Sequence, residues 1–206
     1  MDLLEKDGLS IDLLSKLSYR SVLNLNLKQD LHYFNKAELL SEIEKVIEWY
    51  DATISDYEIP IDYRIKSVQS ATLKYQRYFP DHQARKVFND LLGFRSLCDN
   101  YDEVLSLASL EGIRFADMTK GKAIDDGYRG IHVYYQRDSR SYPIEIQYNT
   151  YYDRQLNNWL HAYLYKREYP DTVGQTMRKA YECGRIHNEN DFKEVLESVL
   201  SDCQGY

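Results

Sequence analysis

The chain has 206 residues, 43% hydrophobic and 29% charged, with net charge −7; that suffices for a domain with its own core. The acidic balance excludes a body coated in basic charge for bulk nucleic-acid binding, while leaving room for a local basic pocket. An acidic N-terminus without a signal-peptide pattern, no apolar run near the roughly 18 residues of a membrane span, and three cysteines (Cys98, Cys183, Cys203) without metal-ligand spacing lead us to expect a soluble, cytoplasmic protein with reduced thiols.

Ser10 is a suitable N-cap for a short helix over 10–18. Over 36–56, Leu39, Leu40, Ile43, Val46, Ile47 and Tyr50 recur at helical spacing, with Glu42, Glu44 and Lys45 between them. Ile61, Tyr63 and Ile65 alternate with polar positions and predict a strand over 61–66. A helix follows from Ser67 to Tyr78, and Pro80 stops it. Leu91–Cys98 predicts a second strand, 101–110 a helix closed by Gly112, and Ile113–Ala116 a third strand. Residues 117–127 form a polar loop with Gly121 and Gly127. Ile131–Gln136 and Ile144–Tyr148 predict a hairpin joined by the turn Arg137–Tyr142. A long helix over Tyr151–Lys166 is punctuated by Pro170, and two more helices lie near 172–183 and 190–201. The order βαβαβ, hairpin, helices implies an α/β (α+β) fold. It has a mixed sheet, helices packed on it and helical extensions at both ends. We expect a single domain over 1–206, with N-terminal helices within 10–56 and C-terminal helices within 151–201.

Several polar groups have spacing suited to phosphate chemistry. Arg64 and Lys66 are two apart on a strand and share a face. Ser70 and Lys74 are four apart on the next helix and also share a face. A strand running into a helix offers free N–H groups to an anion, so these four can converge on a polyphosphate; a solvated edge has the same spacing. Asp90 precedes an apolar strand and suits Mg²⁺, which takes one or two carboxylates plus phosphate oxygens. Arg95 can stack on a purine or clamp a phosphate. Taken alone, Asp90 and Arg95 also read as surface charges. Glu145 lies mid-strand, on the face opposite its apolar neighbours. There it can hold Mg²⁺ or accept a hydroxyl proton, or simply be exposed. Gly127 lets the backbone turn sharply and frees the Tyr128 ring to stack a base, worth roughly 1–3 kcal/mol. Most of the 20 tyrosines read as packing residues.

In order and spacing, Arg64-x-Lys66-Ser67, Asp90-x-x-Gly93-Phe94-Arg95, Gly127-Tyr128-Arg129-x-x-His132 and Glu145-Ile146-Gln147-x-x-Thr150 resemble the synthetase domain of the RelA/SpoT-type alarmone synthetases. The similarity covers about residues 60–166 and resumes at His161 and Tyr165-Lys166. That family moves the β,γ-pyrophosphate of ATP onto a ribose 3′-hydroxyl of GDP or GTP. The resemblance implies that Arg64 and Arg95 sandwich adenine, and that Lys66, Ser70 and Lys74 hold the ATP phosphates. It makes Asp90 a Mg²⁺ ligand. Glu145 would activate the attacking hydroxyl and share the metal. Tyr128 would stack the acceptor base, with Arg129, His132, Gln147, Asn149 and His161 on the acceptor side. The expected transfer is in-line and dominated by positioning and charge neutralisation. The length, and the lack of a hydrolase-type His-Asp pair, lead us to expect a single-domain small synthetase.

The departures from the family pattern fall on the acceptor side. Gly130 stands where Ser is usual, and Ile124-Asp125-Asp126 where Lys-Pro-Asn or similar is typical. Asn149 replaces Arg, and Trp159-Leu160-His161 replaces Leu-Glu-His. Two carboxylates beside an acceptor carrying a free polyphosphate would cost on the order of 4 kcal/mol at 4 Å and an effective dielectric near 20, reduced by screening. The altered motif resembles the toxic branch of small synthetases, which pyrophosphorylates the tRNA CCA end and is encoded with neutralising antitoxins. The expected acceptor is therefore the tRNA 3′ end, with GDP, GTP or an adenine nucleotide as the alternative, and an antitoxin as partner. Oligomeric state stays open, a homo-oligomer included. Lys28, Lys120, Lys122, Arg129, Arg137, Arg140, Lys166 and Arg167 are candidates for a tRNA backbone track.

Overall fold

The computed structural model describes residues 2–165, 167 and 169–204. Its elements in chain order are α1 (Leu3–Lys6), α2 (Ile11–Lys16), α3 (Lys36–Thr53), β1 (Asp62–Ile65), α4 (Val68–Tyr78), α5 (Ala84–Val87) and β2 (Leu92–Leu97). They continue with α6 (Tyr101–Leu105), β3 (Ile113–Asp117), β4 (Ile131–Tyr135), β5 (Ile144–Asn149), α7 (Tyr151–Tyr163), α8 (Asp171–Glu182) and α9 (Glu189–Gln204). The strands form one five-stranded sheet in the order β1-β2-β5-β4-β3. The expected α+β architecture is therefore the observed one. No described helix is long and apolar enough to cross a membrane.

The chain groups into two compact units. The first comprises the described residues of Met1–Ser96, Asp102–Ala116 and His132–Tyr148; the second those of Leu97–Tyr101, Asp117–Ile131 and Asn149–Tyr206. In the first unit burial alternates along β2 and β4, and in β5 the apolar side chains take every second position. Leu92, Phe94, Val133, Tyr135, Ile144, Ile146 and Tyr148 are buried on one face, so Gly93, Arg95, His132, Tyr134, Glu145 and Gln147 take the other. Helix α3 is capped by Asn35, whose Oδ1 accepts from the Ala37 and Glu38 amides (3.0 and 3.2 Å). It buries Leu39, Ile43, Val46, Ile47 and Tyr50 and packs on α4 and β1.

Glu42, which the helical pattern leaves among the polar positions, is instead buried. Tyr142 Oη donates to it at 2.7 Å and the Val22 amide at 2.8 Å. The N-terminus also has a packing role that its acidity hid. Asp2 and Glu5 form a reciprocal cap on α1, Leu3 and Leu4 enter the core, and Asp7 accepts from Ser96 Oγ (2.6 Å) and Tyr148 Oη (2.7 Å).

In the second unit, α7, α8 and α9 enclose a core of Leu156, Leu160, Leu164, Val173, Met177, Ala180, Tyr181, Ile186, Phe192 and Leu196. Thr150 caps α7 by accepting from the Asp153 amide (3.2 Å). That helix ends at Tyr163, three residues short of the expected Lys166, because Leu164 turns into this core. Lys166 itself lies outside the described residues. The helix expected over 101–110 is α6 followed by a 3₁₀ turn, Ser106–Ser109. Cys98 and Cys183 are free thiols, and Cys203 lies outside the residues whose side chains are described.

Candidate active site

Antiparallel pairing of β1 with β2 sets Arg64 opposite Gly93 and Asp62 opposite Arg95. Arg64 and Arg95 are thus diagonal neighbours on one face. They line a pocket with Asp90, Gly93, Phe94, His132, Glu145 and Gln147. Gly93 forms part of the wall: a Cβ there would stand 3.6 Å from Glu145 Oε2. A second pocket is lined by Lys66, Ser70, Leu73, Lys74, Arg77, Tyr78 and Asp90. The four polar groups of the β1–α4 turn therefore do not share one pocket. Lys66, Ser70 and Lys74 line one, Arg64 the other, and Asp90 borders both.

Asp90 is clasped by two cations. Lys66 Nζ donates to its Oδ2 at 2.6 Å and Lys74 Nζ to its Oδ1 at 3.0 Å, while Lys74 also donates to Asn89 Oδ1 (3.0 Å). Burial pushes the Asp90 carboxyl up, but Lys74 and Lys66 outweigh it, and its pKa falls below the ordinary carboxylate range. Ser67, the cap of α4, accepts from the Ser70 amide (3.2 Å) and donates its hydroxyl to Ser70 Oγ (2.9 Å).

Glu145 is 6% exposed, and both of its oxygens have partners. Tyr134 Oη donates to Oε1 at 3.1 Å, His132 Nδ1 lies 3.0 Å from the same oxygen, and Gln147 Nε2 donates to Oε2 at 2.7 Å. Burial again acts upward, His132 and Gln147 act downward, Asp90 opposes them, and the net shift is down. The carboxylate is therefore ionised at neutral pH. His132 and Gln147, which the resemblance assigns to the acceptor, bond Glu145 here. Tyr134 was not singled out from the sequence, yet its signal was present: it follows His132 by two on a strand, hence on the same face.

The chemistry of the donor set fits Mg²⁺. Among the described residues no three His, Cys, Asp or Glu side chains gather as a metal site. Two carboxylates do line one pocket, and the charge of Asp90 is felt at Glu145. Mg²⁺ is held by one or two carboxylates with water and phosphate oxygens completing its shell; a three- or four-ligand transition-metal site is not built.

Tyr128 belongs to the second unit, where side chains hold every backbone polar group from Gly127 to Arg129. The Gly127 amide donates to Asp125 Oδ1 (3.0 Å) and the Tyr128 amide to Asp126 Oδ1 (3.2 Å). The Arg129 amide donates to Asn157 Oδ1 (3.2 Å). The Gly127 carbonyl accepts from Arg178 Nε (2.8 Å), the Tyr128 carbonyl from Arg129 Nη1 (2.8 Å), and the Arg129 carbonyl from Asn149 Nδ2 (2.8 Å) and Asn157 Nδ2 (2.7 Å). Asn149, expected as an acceptor contact, is 2% exposed and braces this loop; Tyr128 Oη lies 3.4 Å from its amide. His161 is exposed, with its ring edge-on to Tyr165.

This loop corrects the electrostatic picture drawn from sequence. Asp125 and Asp126 are not bare charges. Arg129 binds Asp125 through both terminal nitrogens (2.7 and 3.0 Å), and Lys122 pairs with Asp126 (2.5 Å). The Arg129 bond holds the Asp125 carboxyl below its usual range, and Asp125 raises the Arg129 guanidinium in turn. Lys122 Nζ also lies 5.0 Å from the centre of the Tyr128 ring and 5.9 Å from that of Tyr165, within cation–π range. Of the candidate track cations, Lys122 and Arg129 are thus bound to carboxylates. Arg140 Nη2 donates to the Ser21 carbonyl (3.1 Å) and Arg167 Nη1 to Tyr169 Oη (3.2 Å). Lys166 lies outside the described residues.

No protein-family model matches the chain, and no curated protein matches it in sequence. Solved structures similar to it include the following. One is the small alarmone synthetase 1 from Bacillus subtilis bound to its product pppGpp (21% identity, 82% of this chain and 92% of that one, TM-score 0.45). Another is a GTP pyrophosphokinase family protein from Streptococcus pneumoniae (20%, 82% and 89%, TM-score 0.41). The third is the Type VI effector Tas1 in complex with its immunity protein (18%, 82% and 93%, TM-score 0.36).

Proposed function

We propose that the protein is an ATP-dependent pyrophosphokinase whose acceptor is a ribose 3′-hydroxyl, with the 3′-terminal adenosine of tRNA as the first candidate. The observation that carries the transferase reading is the single pocket holding Arg64, Arg95, Asp90 and Glu145, with Lys66, Ser70 and Lys74 lining the pocket that shares Asp90. Two guanidiniums suit a purine, and two lysines with a serine suit a polyphosphate.

In this reading the acceptor hydroxyl attacks the β-phosphorus of ATP, the bond to the α,β-bridging oxygen breaks, AMP leaves, and the hydroxyl proton is released. Arg64 and Arg95 position the adenine. Lys66 and Lys74, now bonded to Asp90, are close enough to exchange that carboxylate for phosphate oxygens. Asp90 and Glu145 would hold Mg²⁺, which supplies charge neutralisation on the phosphates. Glu145 is held ionised, so it accepts the hydrogen bond of the attacking hydroxyl and orients it. A loose phosphoryl-type transition state asks for little more of a base. Tyr128 seats the acceptor base by stacking.

The case for tRNA now rests on a lack of surplus positive charge. Loop residues 117–129 carry Asp117, Asp125 and Asp126 against Lys120, Lys122 and Arg129, so they are formally neutral. Asn149, in place of an Arg, adds no cation and is committed to the loop. A neutral loop suits the single negative charge of the phosphodiester on a 3′-terminal adenosine better than the several charges of a free 5′-polyphosphate. Capping tRNA 3′ ends would block aminoacylation and translation, so this reading includes a neutralising antitoxin as partner. The test is γ-labelled ATP incubated with deacylated tRNA, GDP and GTP side by side. Label on the tRNA 3′ end is expected. Label on GDP or GTP alone would replace the acceptor, and label on none of them would end the transferase reading.

A further inference from the structure

Arg178 is 1% exposed and sits on α8, far along the chain from every motif named above. Its Nη1 donates to Asp153 Oδ1 (2.7 Å), its Nη2 to Asn157 Oδ1 (3.2 Å) and its Nε to the Gly127 carbonyl (2.8 Å). The remaining Asp153 oxygen accepts from Tyr101 Oη (2.6 Å) and Thr150 Oγ1 (3.1 Å), so the buried ion pair has no idle lone pair on that side. As a stability device this is poor: burying a guanidinium costs several kcal/mol of hydration, and apolar residues of like volume fill such sites at least as well. What the guanidinium does that an apolar residue cannot is hold two points of one loop. It grips the carbonyl before Tyr128 directly, and it grips Asn157, which brackets the residue after Tyr128 through its amide and carbonyl.

A second, independent feature aims at the same loop. Gly174 lies inside α8, where glycine costs about 1 kcal/mol relative to alanine. A Cβ at Gly174 would collide with the Asp126 carbonyl, and one at Gly127 (φ +87°) would collide with the Gly174 carbonyl. The backbones of the helix and the loop therefore touch with nothing between them. Two unfavourable choices on one helix, a buried charge and a glycine at the end of its first turn, both bear on residues 126–129.

We propose that Arg178 is a positioning residue for the acceptor: from helix α8 it sets the pose of the Tyr128 ring through the Gly127 carbonyl and Asn157, with Gly174 allowing the close approach. This rests on the role given to Tyr128 above. It makes α8 a determinant of acceptor affinity although its residues touch neither substrate.

Arg178→Lys keeps a cation for Asp153 but loses the fork that reaches Gly127 and Asn157. Gly174→Ala removes no hydrogen bond and raises helix propensity, yet pushes the loop away. For both folded variants, the acceptor KM should rise roughly ten- to a hundredfold while the affinity for a fluorescent ATP analogue stays within about twofold of wild type. Unchanged acceptor KM in folded variants overturns the inference. So does a loss in which ATP affinity, acceptor KM and Tm deteriorate together, or failure of both variants to fold, since each marks a role in stability alone. If Arg178→Lys does not fold, Gly174→Ala decides. A wild-type protein that transfers to no acceptor overturns the function and this inference together; an active wild type with unaltered variants overturns only the inference.

Discussion

The pocket of Asp90 and Glu145 and the loop of Tyr128 use polar residues in opposite ways. In the first, the side chains stand on or just beyond the ends of strands and helix, and they face one another. Lys66 and Lys74 hold Asp90, while His132, Tyr134 and Gln147 hold Glu145. In the second, side chains turn inward to serve the backbone: Asp125, Asp126, Asn149, Asn157 and Arg178 pin three consecutive peptide units around the half-buried Tyr128. The lesson is that a charged letter in a motif is available to a ligand only where the peptide groups around it do not need its side chain. Where the chain is irregular, the same letter is scaffolding, because buried N–H and C=O groups must find partners.

The sharpest way to break this contrast is to neutralise one pocket carboxylate. Glu145→Gln should lower kcat about 10²- to 10³-fold with far-UV circular dichroism unchanged; an active Glu145→Gln enzyme would move the chemistry elsewhere. Next in size is the ring. Tyr128→Ala should raise the acceptor KM about ten- to a hundredfold, the equivalent of roughly 1–3 kcal/mol of stacking, and leave ATP binding alone. Tyr128→Phe sharpens the point: ring stacking alone keeps it near wild type, whereas a role for the hydroxyl lowers kcat.

Asn149→Arg tests the scaffolding directly. If Asn149 were simply a missing cation, the change would improve nucleotide use. Because it is buried and bonded to the Arg129 carbonyl, overpacking should instead cost about 1–3 kcal/mol, seen as a lowered Tm. The smallest effect belongs to Asp125→Asn. The folded pKa of Asp125 is depressed, chiefly by Arg129. Its contribution is therefore fully present above the ordinary carboxylate pKa and is lost as pH falls through the folded value. The variant should be less stable at neutral pH by no more than about 1 kcal/mol, the range of partly exposed pairs. Its stability should also decline less steeply than wild type as pH falls below the ordinary carboxylate pKa, measured by denaturant titration. Equal slopes would mean the pair contributes nothing.

The strands, α3, α4 and the hairpin were legible because periodicity is local, and Ser10 announced a helix start; the caps Ser67 and Thr150 emerged only from the structure. The common pocket of Arg64, Arg95, Glu145 and Gln147 was not legible: alternation gives each strand its two faces, but which strands lie side by side is decided by pairing in space. Less legible were Glu42 and Asp7, buried acids whose partners Tyr142 and Tyr148 are more than 90 residues away in the chain. Asp125 was misjudged for the same reason at short range: the Arg129 four residues on was counted as a separate charge, though the loop folds the two together.

By itself, the sequence determined which residue types could carry phosphate chemistry and on which faces of which elements they stand, because side-chain direction follows from helix and strand period. Only the tertiary structure decided which charges are spoken for. Pairing depends on distance in space and on burial, and both are set by the packing of segments the chain keeps apart: α4 against the start of β2 for Lys74 and Asp90, α8 against the Gly127 loop for Arg178.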